Sequence, residues 1–101
     1  MITKIYATFD KKANAFNERF FQAPNDEVAI RSVETNQLHD EFFNINAADF
    51  EVYCIGLYDA ETGIITPEKR LIMQIKQKSE KDIKIALGKM SLEELDVAKG
   101  E

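Results

Sequence analysis

The residue types that could do chemistry are few. His39 and Cys54 are the single histidine and the single cysteine of the chain, so a Cys/His zinc cluster cannot be built within one chain. His39 lies beside Asp40 and Glu41; an acid–base pair is conceivable there, but a solvated loop histidine is the ordinary reading. Asp59 and Glu61 could bind a hard cation, but one short turn lacks the six or more oxygens calcium takes, and they read as turn chemistry. There is no Gly-rich phosphate loop, no GxSxG, no HExxH and no EF-hand loop. No catalytic residue, metal or cofactor is expected, and the chain does not read as an enzyme.

Aromatic residues interleaved with cations are more informative. Tyr6, Phe16, Phe20, Phe21, Tyr53 and Tyr58 fall in strand-like segments, and a strand places alternate residues on opposite faces. If a helix covers one face, some rings point outward. Rings flanked by Lys4, Lys11, Lys12, Arg19, Arg70 and Lys76 would form a stacking platform with a basic rim, the arrangement single-stranded nucleic acid requires. Tyr6, Phe16 and Tyr53 are the candidate stacking rings. The competing use of the same rings is to fill a two-sided core or a dimer interface, the default use of aromatics in a small domain.

The elements that must position these residues follow from local pattern. In Ile2–Asp10, Ile5, Ala7 and Phe9 alternate with Lys4, Tyr6 and Thr8, a strand with one buried face. Lys11–Asn14 is a polar turn, and Ala15–Gln22 is a second strand with Phe16, Glu18 and Phe20 on one side and Arg19 and Phe21 on the other. Ala23-Pro-Asn-Asp26 ends it and opens a helix through about Leu38: Asn25 or Asp26 can cap, and Asp26 and Glu27 suit the positive helix end. Residues 39–49 have no sustained period and read as a loop. Phe50–Tyr58 is the strongest strand, Asp59–Gly63 is a hairpin loop with Gly63 available for positive φ, and Ile64–Gln77 returns as a fourth strand. Pro67 places the first part of that strand on an edge or outside the ladder. Ser79-Glu-Lys-Asp82 resembles a capping box, with Ile83, Ala86, Leu87 and Met90 at helical spacing. Ser91–Glu94 could cap a further turn, and Val97–Glu101 reads as a frayed end.

The fold class is therefore α+β: a small, mostly antiparallel sheet in ββαββ order with one packing helix and a C-terminal helix. Residues 1–78 form the core domain and 79–101 a helical tail. The expected core is Ile5, Phe9, Ile30, Val33, Val52, Cys54, Ile55 and Leu71, with Cys54 a buried structural thiol suited to a reducing compartment.

At 101 residues the chain makes one domain, and 45% hydrophobic residues with four Gly and two Pro exclude a collagen-like or wholly disordered chain. No apolar run approaches the roughly 18 residues of a membrane span, and the first residues lack a signal peptide's apolar segment. A soluble protein without membrane association is expected. The net charge of −5 is uneven. Lys4, Lys11, Lys12 and Arg19 outweigh Asp10 and Glu18 by +2 in residues 1–22. Arg31 alone faces nine carboxylates in residues 23–62, a balance of −8. Residues 63–90 return to +4, and 91–101 carry −3. An acidic chain can thus still present a basic surface.

Ile5-Tyr-Ala-Thr-Phe-Asp10, then Lys12-Ala13, Ala15 and Phe20-Phe21, resembles the opening of the small non-structural protein of gokushovirus-type microviruses, which are small single-stranded DNA phages. Asp49-Phe-Glu-Val-Tyr53, Ile55-Gly56, Tyr58-Asp59 and Thr62-Gly63 resemble the second half of the same pattern, and Ala29 and Arg31 match its central helix. The resemblance covers about residues 5–63. The chain departs from it at Ser32-Val33, where an aromatic or Leu is usual, and at Ala47-Ala48, where a Pro is frequent. The resemblance implies a non-capsid protein of the infected bacterium's cytoplasm, associated with single-stranded DNA synthesis or packaging. Its expected partners are single-stranded DNA, viral replication or capsid proteins, and further copies of itself. The alternative is an acidic adaptor that docks a basic replication or capsid protein without touching DNA.

Overall fold

The structure, a computed structural model, describes residues 1–88. Strands β1 (Ile2–Asp10) and β2 (Ala15–Ala23) form a hairpin, followed by helix α1 (Asp26–His39) and the short helix α2 (Glu41–Ile45). A 3-10 turn at Ala47–Asp49 leads into β3 (Phe50–Asp59) and β4 (Ile64–Gln74). A further helix, α3, occupies residues 80–88. The strands make one sheet in the order β2-β1-β3-β4, every pairing antiparallel. This is the expected α+β architecture. Met90, the Ser91–Glu94 cap and the frayed end at 97–101 lie outside the described residues.

Local chemistry accounts for the element boundaries. Asn25 caps α1, its Oδ1 accepting the Val28 N–H at 2.9 Å, and Asp26 and Glu27 occupy the first turn. Ser79 Oγ accepts the Asp82 N–H at 3.1 Å at the start of α3. Gly63 has φ +73° in the β3–β4 turn, the left-handed region that glycine enters without a steric penalty. Pro67 lies on the edge strand β4, opposite Gly56, where its missing N–H costs no ladder bond to a further strand.

Residues 39–49 are not an irregular loop. Asp40 Oδ1 accepts the Phe43 N–H at 3.0 Å and starts α2, and the 3-10 turn follows. A five-residue helix is too short to leave a period in the sequence. Phe43 nevertheless packs its ring 5.3 Å from that of Phe50, against the core.

The alternation along β1 holds, but α1 covers the Tyr6 side. Tyr6, Ala23, Ala29, Val33, Ala47, Val52, Cys54 and Ile75 form the buried cluster beneath the helix. Ile5, Val33, Val52 and Cys54 are buried as expected, while Phe9, Ile30 and Ile55 are only half-buried. Leu71 corrects the expected core: it is 49% exposed. Tyr53 pairs with Leu71 and Val52 with Met73, so Ile72 is an extra residue that shifts the alternation of β4. Ile72 and Met73 both pack towards the core, and Leu71 is left on the other face.

Two buried amides fix how the chain leaves the sheet. Gln37 Nε2 donates to Asn44 Oδ1 at 2.7 Å and to the Lys76 carbonyl at 2.6 Å. Asn44 then pairs with the Lys78 backbone in both directions, donating to its carbonyl at 2.9 Å and accepting its N–H at 2.8 Å. Buried polar groups require such partners, and here they tie residues 76–78 to α1 and α2.

Candidate functional site

With α1 on one face of the sheet, the opposite face is open among the described residues. Strand alternation brings Phe9 of β1, Phe16 of β2 and Tyr53 of β3 together there. Phe9 and Phe16 lie 4.9 Å apart, Phe16 and Tyr53 5.4 Å, and Phe9 and Tyr53 6.2 Å, all edge to face. Lys69 of β4 places its Nζ 5.7 Å from the Phe16 ring centroid, within cation–π range. Phe20, opposite Ala7 on the same face, is 62% exposed, and Phe16 is 36% exposed. The face also carries an anion: Glu51 accepts the Tyr53 hydroxyl at 3.4 Å. Desolvation, with the nearby Glu51 carboxylate, pushes the Tyr53 phenol up from its ordinary value. The arrangement can stack planar groups on Phe16 and Phe20, with Lys69 as the cation beside them.

The residues expected to share this surface are dispersed. Phe16 and Tyr53 lie on it, but Tyr6 does not. Tyr6 is wholly buried under α1, stacked 5.5 Å from Phe21, with its hydroxyl donating to Asp26 Oδ1 at 2.7 Å. Its place as a stacking ring is corrected: a ring with no exposed surface cannot receive a base. Arg70 is on the helix side too, where Nη1 and Nη2 grip Asp26 at 2.7 and 3.2 Å and Nε reaches Glu68 at 3.3 Å. Lys4 lies 3.8 Å from the same Asp26. These two cations therefore anchor the N-terminus of α1 to the sheet instead of rimming the open face.

Asp26 is the centre of that anchor. Hydrogen bonds from Arg70 and then from Tyr6 hold its carboxyl down at about 2 against the opposing effect of burial. Burial, with the hydrogen bond to Asp26, pushes the Tyr6 phenol far up. Glu68 extends the network to Cys54, whose Sγ–H donates to Oε2 at 3.4 Å. Burial raises the Cys54 thiol, consistent with a structural cysteine and not a nucleophile.

The remaining cations lie elsewhere. Lys11 Nζ donates to Gln74 Oε1 at 2.8 Å, and Lys12 pairs with Asp49 at 3.4 Å, both at the end of the sheet. Lys76 follows β4 and is exposed. Arg19 lines a groove between β2 and α1. Sequence reasoning places Phe9 in the core, and it counts Lys69 only as the start of a basic stretch, residues 69–84, that would contact phosphates. Lys69 belongs to the basic run after Gly63, but the irregular register of β4 hid the face it occupies. Among the described residues, no three His, Cys, Asp or Glu side chains are grouped to hold a metal ion, and no helix is long and apolar enough to cross a membrane.

A family model described as phage ORF5 protein matches residues 3–78. The chain belongs to this phage ORF5 family. The matched segment takes in the sheet, α1, α2 and the Gln37–Asn44 clamp on Lys78, and it stops before α3. No curated protein and no solved structure matches the chain.

Proposed function

We propose that this phage ORF5 protein is a non-enzymatic accessory of a small single-stranded DNA phage of the gokushovirus type, and that it binds single-stranded DNA during genome synthesis or packaging in the host cytoplasm. The observation that carries the reading is the cluster of Phe9, Phe16 and Tyr53 on the open sheet face, with Lys69 over the Phe16 ring. Stacking on aromatic rings tolerates any base, and a lysine beside the rings supplies phosphate neutralisation. Lys69 has to move off Phe16 for a base to stack there, and its ammonium is then free to meet the adjoining phosphate. Among the described residues the outer edge of β4 is unpaired and offers contacts between protomers along a strand.

The test is fluorescence anisotropy with a labelled oligonucleotide at two salt concentrations. Binding that weakens with salt, and that Phe16→Ala or Tyr53→Ala reduces by about 1–3 kcal/mol, supports the reading. No binding at low salt sinks it and favours the adaptor. One observation supports that second reading: Glu27, Asp40, Glu41 and Glu61, within the acidic block 23–62, are all exposed, a surface suited to a basic replication or capsid protein.

A further inference from the structure

The groove between β2 and α1 differs from the other concavities of this acidic protein. It measures about 390 Å3, within the range of small-ligand sites. Among the described residues no carboxylate lines it, whereas four other concavities of the surface each include at least one of Glu34, Glu41, Asp59, Glu80 and Asp82. Phe21 and Phe43 provide apolar surface within it, and Arg19 and Asn36 flank them, while Gln22 shares the far face of β2 with Phe20. Among the described residues the Arg19 guanidinium has no acidic partner and the Asn36 side-chain amide has no hydrogen-bond partner.

We infer that this groove is a nucleotide pocket in which one base of a bound strand is read by the Asn36 amide while Arg19 holds its phosphate. An amide offers a donor and an acceptor side by side, matching the edge of an unpaired base, and unstacked bases are read in this way in single strands. Arg19 supplies a planar fork for phosphate oxygens. The pocket adjoins the stacking face, because Phe20 both lines the groove and stands on the open side of β2. A strand crossing the β2 edge at Phe20 passes from one surface to the other. An added peptide strand fits less well: the register of β2 is irregular between Phe16 and Phe20, and the Arg19 N–H is already taken by Asn17 Oδ1 at 3.1 Å.

This inference rests on the DNA-binding reading but can be tested apart from it. The four deoxynucleoside monophosphates are titrated against the labelled full chain while the side-chain amide resonances of Asn36 are followed by NMR, with those of Gln22, on the far face of β2, as the reference. Homopolymer oligonucleotides are compared in parallel by anisotropy. One monophosphate is expected to shift the Asn36 amide, and the matching homopolymer to bind about tenfold tighter than the weakest, the value of two good hydrogen bonds from one amide. Asn36→Ala, at an exposed helix position where Ala is well tolerated, should collapse that preference while leaving salt-dependent binding in place. If no monophosphate shifts the Asn36 amide, or if Asn36→Ala leaves the preference intact, the pocket is refuted. Equal binding of all homopolymers that is lost in Phe16→Ala keeps the coating reading and removes the pocket. Monophosphate binding without oligonucleotide binding overturns both, because the pocket is assigned to a base of a bound strand.

Discussion

Replacing Asp26 tests the anchor that decides which face of the sheet is left open. In the folded protein its carboxylate accepts the Tyr6 hydroxyl at 2.7 Å and two Arg70 bonds at 2.7 and 3.2 Å, at the first turn of α1. Asp26→Ala leaves the hydroxyl of a fully buried tyrosine unpaired, at a cost of about 1–3 kcal/mol. It also removes a negative charge from a helix N-terminus, worth about 0.3–1 kcal/mol. The expected loss is about 1.3–4 kcal/mol, read as a lower urea midpoint at unchanged slope. The pH dependence has a definite sign. The folded carboxyl titrates near 2, below its ordinary value of 3.8, so the unfolded chain binds the proton first as pH falls. The stabilisation is complete above about pH 4 and is lost as pH falls through 2. After allowance for the 31% exposure of the side chain, it amounts to about 1–2 kcal/mol. Asp26→Asn keeps the shape and an acceptor oxygen but should remove this component of the acid transition. A loss below 1 kcal/mol in Asp26→Ala, or an acid transition unchanged in Asp26→Asn, would refute the anchor.

Tyr6→Phe should destabilise the fold by about 0.5–1.5 kcal/mol in urea titration, the net value of a hydrogen bond, without altering the salt slope of DNA binding, because Tyr6 has no exposed surface. Lys69→Gln should flatten the slope of log affinity against log salt by about 0.7, one phosphate contact; an unchanged slope places the phosphates elsewhere. Gly63→Val, forced to φ +73°, should lower stability by more than about 1 kcal/mol, measured as a drop in Tm. Asn44→Leu strands Gln37 and the Lys78 backbone and should cost about 1–3 kcal/mol, with faster amide exchange at residues 76–78; exchange rates equal to the parent's would show that the clamp does not hold the exit.

The strand pattern, the order ββαββ, the Asn25 cap, the positive φ of Gly63 and the edge position of Pro67 were legible in the sequence because each arises from interactions within a few residues. Period-2 alternation sorted Phe9 with Ala7 and Tyr6 with Lys4, and Phe16 with Phe20, without reference to the rest of the chain. Which of the two faces the helix would take was a tertiary matter. It was decided where Asp26, Arg70 and Tyr6, brought from three elements, meet in one hydrogen-bonded cluster, and that choice buried the tyrosine expected to stack and left Phe9, a ring expected in the core, half-buried on the open face. The extra residue at Ile72 shifted the alternation of β4 and turned Leu71 outwards. A bulge depends on both strands of a pair, so neither strand's own pattern reveals it. The Arg19 groove is likewise a product of packing: β2 and α1 each contribute one wall, and their separation exists only once the sheet and helix are docked.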